Sequence, residues 1–470
     1  MKTRVIEACA RACRCSLALC AAGLVAAAAA PSSAHAQTNP VATATNAPSW
    51  LTRPLSLVDA LNIALDQIGA ILKAKSDLEA SHGIVIQTRA VAMPKLQAAG
   101  KVIDADWHSI DRFPVSIPNL NQPHENWNSG IRIVQSVYEG GRMASALRAS
   151  RLTRQQAVLQ YQTVVADTLL ATRVAYYDVL LAAQQIVVNE ASVSLLASEL
   201  DDQQRRFEAG TVPRFNVLRA EVALANERPS LIRARNDHRI AKNNLSNLLG
   251  YNLPREIWQD IPFQLIDKLD ASPYSIDLPS SIARALEKRT ELGALRAAKE
   301  LSLEGVVNAK AAYKPSVQAF AGYGWQNSQF KSDISQDLNG WNVGGQLTWD
   351  IFDGSLTRGK VIQARALYER TAADLDDTAR RIELEVRTAY SSFIEARDVL
   401  ESQQKVQEEA DEALRLARAR AEAGTGTQLD VLDAETSLTQ ARTTQVQALH
   451  DYAVARAKLE RAIGQDMVQK

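Results

Sequence analysis

Trp341-Asn342-Val343-Gly344-Gly345-Gln346-Leu347-Thr348-Trp349-Asp350-Ile351-Phe352-Asp353-Gly354 alternates in character residue by residue. Trp341, Val343, Leu347, Trp349 and Ile351 fall on one parity; Asn342, Gly344, Gln346, Thr348 and Asp350 fall on the other. Successive side chains of a strand point to opposite faces, so this is a strand from Trp341 to Ile351 with one apolar and one polar face. A half-buried sheet of a soluble protein gives that pattern, and so does a strand of a transmembrane barrel.

The stretch occurs twice. Shifted by 214, Trp127-Asn128 falls on Trp341-Asn342, Gly140 on Gly354, and Ala175-Tyr176 on Ala389-Tyr390. Ala209-Gly210-Thr211 falls on Ala423-Gly424-Thr425, Val217-Leu218 on Val431-Leu432, Ala220-Glu221 on Ala434-Glu435, and Gly250 on Gly464. The start of each unit matches at a shift of 221: Leu57, Ala64, Leu65, Ile71 and Pro94 fall on Leu278, Ala285, Leu286, Leu292 and Pro315. The extra seven residues of the first unit lie between Pro94 and Trp127, where Pro114, Pro118 and Pro123 mark a loop. A chain built from two copies of one unit is an internal repeat.

Each unit reads as helix, strand, loop, strand, long helix, tight turn, long helix. The strand after Pro315 carries Val317, Ala319, Tyr323 and Trp325 on one face. The strand after Pro94 is the least regular, because Lys101 and Asp104 fall in it. No Gly or Pro interrupts the chain between Gly141 and Gly210, or between Arg370 and Gly424. A helix of about 65 residues at 1.5 Å each is roughly 100 Å long. Ile382, Val386, Ala389, Phe393, Ala396 and Leu400 recur at three and four, the stripe of a helix that packs on other helices as in a coiled coil. Gly210 and Gly424 are placed to cap the helix ends, and Pro229 is expected to kink the returning helix of the first unit. Pro254, Pro262, Pro273 and Pro279 make residues 251–279 a linker between the units, folded against the outside of the helices.

The N-terminal segment has a different character. Lys2, Arg4, Arg11 and Arg14 precede an apolar run from Leu17 to Ala30, and Ala34-His35-Ala36 is a small-x-small site. That is a secretory signal peptide over 1–36, with the mature chain beginning at Gln37. All four cysteines, Cys9, Cys13, Cys15 and Cys20, lie inside it, so the mature chain has no disulfide, thiol nucleophile or cysteine metal site. Leu19 before Cys20 argues against lipidation. No other apolar run is expected to reach spanning length, so an exported chain is either soluble in the periplasm or crosses the outer membrane as β-strands.

Charge is balanced, with 53 acidic and 53 basic side chains, and gives no argument for nucleic acid. His35, His82, His108, His124, His238 and His450 are scattered without metal-ligand spacing, and no phosphate-binding Gly-Lys-Ser/Thr loop occurs. No catalytic residue, cofactor or metal site is expected. Two candidate strands per unit make four per chain. The smallest membrane barrels have about eight strands and tolerate no open edge, so spanning strands would have to be pooled between subunits.

The sequence resembles the TolC family of outer-membrane factors. The resemblance rests on the duplicated unit, the start Leu57-Val58-Asp59-Ala60-Leu61, the Trp-Asn strand openings, and the ends Tyr138-Glu139-Gly140-Gly141 and Phe352-Asp353-Gly354. It also rests on Phe207-Glu208-Ala209-Gly210-Thr211 with Asn216-Val217-Leu218, and on Glu422-Ala423-Gly424-Thr425 with Leu429-Asp430-Val431-Leu432-Asp433-Ala434. The resemblance implies an α+β membrane protein: a homotrimer with a shared transmembrane β-barrel and a long periplasmic coiled-coil α-helical barrel. It divides the chain into a signal peptide at 1–36, a periplasmic segment at 37–54, a first repeat at 55–250, the linker at 251–279, a second repeat at 280–464 and a tail at 465–470. It implies an efflux or export duct in the outer membrane that works with a periplasmic adaptor and, through it, an inner-membrane transporter. A duct dedicated to type I protein secretion is the alternative within the family, and a periplasmic coiled-coil scaffold or adaptor the alternative outside it.

By the same resemblance Asp430 and Asp433 form an acidic gate at the closed tip, while Gly210, Thr211, Gly424 and Thr425 contact the adaptor. Thr427-x-x-Asp430 also reads as a variant of the capping box, and the two readings are compatible. Gly426, Ala421 and Asn216 stand where the family pattern has arginine, tyrosine and aspartate, so the tip is expected to be locked differently. Trp325, Trp341 and Trp349 are candidates for the lipid interface, where Trp is enriched.

Overall fold

The computed structural model describes residues 49–51, 53–104, 125–251, 261–269, 271–327 and 338–465. The expected signal peptide at 1–36 with its cysteines, the expected loop at Pro114, Pro118 and Pro123, and Pro254 lie outside the described residues. Ser49–Leu51 is a short 3-10 turn and a unit by itself.

From residue 53 the order is β1 (Pro54–Leu55), α1 (Leu57–Gln67), α2 (Gly69–Arg89), β2 (Lys95–Asp104), β3 (Glu125–Glu139), α3 (Arg142–Glu208) and α4 (Arg214–Leu248). The second half continues with β4 (Gln264–Leu265), α5 (Leu278–Lys288), α6 (Thr290–Ala311), β5 (Ser316–Asn327), β6 (Leu338–Thr348), α7 (Leu356–Glu422) and α8 (Gln428–Ile463). The expected leading helix of each unit is two helices, broken at Ile68 and at Arg289, which match at the shift of 221. Both residues are extended, with ψ of 127° and 123°, so the break belongs to the repeat. The helix over Pro229 is unbroken from Arg214 to Leu248.

The long strands form one antiparallel sheet in the order β2-β3-β5-β6. Each repeat contributes a hairpin, and β3 joins β5 across the repeats. The register sorts the side chains into two faces. On one, Tyr323 pairs with Trp341, Ala321 with Val343, Val317 with Leu347, Ile131 with Tyr323 and Leu96 with Ile133. On the other, Gln318 pairs with Gln346, Gly322 with Asn342, Asn128 with Gln326 and Gln97 with Arg132. Lys101, which made β2 look irregular, pairs with Asn128 on the polar face, and Asp104 is the strand's last residue. β6 begins at Leu338 rather than Trp341 and ends at Thr348. Its partner β5 starts at Ser316, after Pro315, whose missing N–H cannot continue the ladder, so Trp349 and Ile351 leave the strand. Within the single chain the apolar face of β6 is left open: Trp341, Val343 and Leu347 are 78%, 68% and 66% exposed.

α3 and α7 each run for 67 residues, roughly 100 Å. The stripe read from the sequence is the one that packs: Ile382, Val386 and Phe393 are buried with Leu292, Tyr452, Leu459 and Ile463 from α6 and α8. Ala389, Ala396 and Leu400 lie against that core. Phe393 sits between Tyr452 and Tyr274, ring centroids 5.4 and 5.8 Å away. The linker is fastened to the helices. β4 pairs in parallel with β1, and Asp267 accepts hydrogen bonds from the Leu57 amide at 2.7 Å and the Tyr176 hydroxyl at 2.8 Å.

One window of α3 is apolar enough, by length and composition, to cross a membrane, which corrects the expectation that no further run would be. Asp167, Arg173 and Asp178 on this helix pair instead with Arg461, Glu460 and His450 of α8, at 2.6, 2.7 and 2.8 Å. Alanine, valine and leucine raise the window's hydropathy, and 28% of it is buried within the chain.

Candidate functional site

The two tight turns are built alike. Gly210 and Gly424 sit at φ of 74° and 73°, the left-handed conformation that glycine adopts at least cost. The Gly210 amide donates to the Phe207 carbonyl at 2.9 Å and the Thr211 amide to Arg206 at 2.9 Å. In the second repeat Gly424 donates to Ala421 at 3.2 Å and Thr425 to Arg420 at 2.9 Å. This is the Schellman pairing, which satisfies the last carbonyls of a helix. The hydroxyls of Thr211 and Thr425 donate to the same Arg206 and Arg420 carbonyls, at 2.8 and 3.3 Å. Capping therefore accounts for the Gly-Thr pair in both repeats, and the exposure of Gly210, Thr211, Gly424 and Thr425 leaves their outer surfaces open.

The helices that leave the turns begin differently. α8 opens on a capping box: the Thr427 hydroxyl accepts from the Asp430 amide at 3.2 Å, and the Asp430 carboxylate accepts from the Thr427 amide at 2.9 Å. These bonds from Thr427, with Arg420 nearby, hold the Asp430 carboxyl below the usual range. α4 opens on Pro213, with no side-chain cap. Proline has no amide hydrogen for a carboxylate to accept, so Asn216, the counterpart of Asp430, has no reciprocal role. Asp433 is exposed one turn further along. Gln428 joins the two openings by donating to the Asn216 carbonyl at 3.2 Å.

Above the turns, α3, α7 and α8 border a groove of about 720 Å³ lined by Glu199, Gln203, Arg206, Arg418 and Gln428 among others. Beside it Glu435 is 2% exposed and accepts from Arg418 at 2.9 Å. Burial pushes its carboxyl up, against the pull of Arg418. Its counterpart Glu221 is exposed. The sequence does not single Glu435 out, because the same residue stands in both repeats and only its neighbours differ. The ionic knot farther up was also missed: Arg289 is bound to Glu291 and Glu385, and Arg461 to Asp167 and Glu291. Charged residues far apart in sequence carry no spacing signal. Among the described residues no His, Cys, Asp and Glu cluster has the geometry to hold a metal.

At the sheet, Trp325 pairs with Asn339 and Trp341 with Tyr323, both toward the strand ends remote from the helices. The rings of Tyr323 and Trp325 meet edge to face at 4.9 Å. Trp349 lies at the helix end of the sheet and donates its indole N–H to the Tyr313 carbonyl at 3.2 Å.

Comparison with known proteins agrees with this geometry. A family model described as outer membrane efflux protein matches residues 60–251 and 281–465. The chain is similar to the outer membrane protein TolC of Vibrio cholerae, 24% identical over 418 residues, 87% of this chain and 90% of that one. It is also similar to the alkaline protease secretion protein AprF of Pseudomonas aeruginosa, 24% identical over 413 residues, 86% of this chain and 83% of that one. The crystal structure of the outer membrane protein VceC of Vibrio cholerae superposes with a TM-score of 0.72 at 19% identity, covering 87% of this chain and 96% of that one.

Proposed function

The chain belongs to the outer membrane efflux protein family, and on that premise we propose that it is one subunit of a trimeric duct running from the outer membrane across the periplasm. The observation that carries this reading is the open sheet. Among the described residues its edge strands β2 and β6 have no outer partner, and its apolar face is exposed. In lipid an unpaired edge is untenable, so each β6 pairs with the β2 of a neighbour and the ring closes as a barrel. Strands of 10, 15, 12 and 11 residues meet the roughly 9–11 needed to span at a tilt. Trp325 and Trp341 then mark one lipid interface and Trp349 the other. Trp341 and Trp349 are eight positions apart in sequence, roughly 25 Å of extended chain, close to the height of an outer-membrane apolar band.

The same ring aligns the long helices into a tube whose tip carries Asp430 and Asp433 as an acidic gate. The exposed turns at Gly210-Thr211 and Gly424-Thr425 receive a periplasmic adaptor, which couples the duct to an inner-membrane transporter. Residues 1–36 act as the export signal. Likeness to a protease secretion protein favours a second reading, in which the cargo is a polypeptide.

Native mass measurement of the protein extracted from the outer-membrane fraction tests the assembly. A trimer is expected; a folded monomer in detergent overturns the shared barrel. Expression in a host lacking its own duct separates the cargoes, by recovery of drug resistance or of protease secretion.

A further inference from the structure

His450 lies on α8, 9% exposed, with both ring nitrogens engaged. Nε2 is 2.8 Å from Asp178 Oδ1 on α3, and Nδ1 is 3.0 Å from Asp451 Oδ1 on α8. A carboxylate only accepts hydrogen bonds. A neutral imidazole has one N–H and one bare lone pair. With a carboxylate oxygen at each nitrogen, both bonds form only if the ring carries two protons, as imidazolium. In the neutral ring one lone pair must face a carboxylate oxygen. We propose that His450, gripped between Asp178 and Asp451, is a proton-operated clamp that fastens α3 of the first repeat to α8 of the second.

The surroundings support a single-proton device. Burial alone would push the ring's pKa down. The hydrogen bonds to Asp178 and Asp451, with their charges, outweigh it and hold the pKa above the ordinary histidine value. Those two are the charges that act on the ring from α3 and α8. On α7, Glu395 lines the groove that Asp451 shares with Lys458 of α8. Gln447 donates to Asp451 at 2.9 Å and holds that carboxylate in place. The repeat does not duplicate the pair. At the shift of 214, Asp178 falls on Ser392 and His450 on Asn236, neither of which titrates in this range. The counterpart positions in the other repeat thus carry no titrating pair.

Because the folded pKa is raised, the stabilisation is fully present below the ordinary histidine value. It is lost as pH rises through the folded one. At alkaline pH the ring keeps one bond, to Asp178 or to Asp451, and the link between α3 and α8 is weakened at that level, while Arg173–Glu460 and Asp167–Arg461 still join the two helices.

The test uses the full chain in detergent. Thermal midpoints are measured from acid to alkaline pH for the wild type, His450→Gln and Asp178→Asn. The advantage of the wild type over His450→Gln should be largest in acid and close above neutrality. Asp178→Asn should move that loss to lower pH. A gap constant at every pH, or a midpoint that Asp178→Asn leaves in place, overturns the clamp. Should the variants fail to fold, hydrogen exchange of the wild type decides. After correction for intrinsic rates, peptides containing residues 178 and 450 should lose protection as pH rises through the folded pKa, by about tenfold in all for each unit by which that pKa is raised, relative to residues 382–393. Uniform loss along the helices overturns it.

Discussion

Gly140 and Gly354 are the same residue of the repeat in two surroundings. Both have a left-handed backbone, with φ of 63° and 65°. A Cβ on Gly354 meets open space, whereas one on Gly140 runs into the Ala311 carbonyl oxygen. Gly354→Ala should therefore cost only the backbone term, about 1 kcal/mol. Gly140→Ala should add a clash and cost about 2–4 kcal/mol in all, read from paired denaturation curves. Asp430 separates capping from gating in a similar way. The side-chain amide introduced by Asp430→Asn can still accept from the Thr427 amide through its oxygen but carries no charge. If the carboxylates face the axis of a trimer, Asp430→Asn keeps helix content by circular dichroism yet weakens block by multivalent cations in single-channel recordings. Asp430→Ala loses both. Unchanged block in Asp430→Asn leaves the residue with capping alone. The cap itself is present above the usual carboxylate range and is lost as pH falls through the depressed pKa. Thr427-x-x-Asp430 was legible as a capping box in the sequence. That Pro213 removes the need for an acid at Asn216 became clear only once Pro213 stood at the helix start.

Among the elements, the strands carry the sharpest contrast. Val343 and Asn342 are neighbours at the middle of β6, on opposite faces. Val343→Lys should cost about 2–4 kcal/mol if that face meets lipid, and should abolish heat-modifiable oligomers on gels. Asn342→Lys at the same depth should leave the oligomer intact. Equal tolerance at the two positions rules out a lipid-facing sheet. The alternation of β6 was plain from Trp341 to Leu347 because each apolar residue there is large. β2 was obscured because its apolar face is Leu96, Ala98, Gly100 and Val102, half of it too small to register, and because Ile103 lies opposite. The long helices were legible from the absence of Gly and Pro. The breaks at Ile68 and Arg289 were not, since neither residue is a helix breaker; each is extended because the next helix starts anew from it.

For the whole molecule, the free edges set the prediction. β2 and β6 lie at opposite ends of one antiparallel sheet, so in the proposed ring β6 of one chain would meet β2 of the next antiparallel as well. All four cysteines fall between Cys9 and Cys20, so single cysteines placed elsewhere report without background in a chain from which residues 1–36 have been removed. Pairs with one cysteine over 95–102 and one over 340–347 should give disulfide-linked trimers. Links formed only within a chain count against the ring. Repeat identity was legible from end to end, but the environments were not, as the buried Glu435 and exposed Glu221 show. Packing against the other repeat, rather than the local sequence, decides which twin is covered. The match in length between α3 and α7 has its own consequence. Both contain 67 residues and both ends sit 214 apart. The reach of the rod is thus written twice in the chain, and each copy checks the other. An insertion in one helix pair alone would push its turn about 1.5 Å per residue past its twin. A lineage can change the span of this protein only by making the same edit in four helices, so the distance it bridges is far harder to evolve than the residues at its tip.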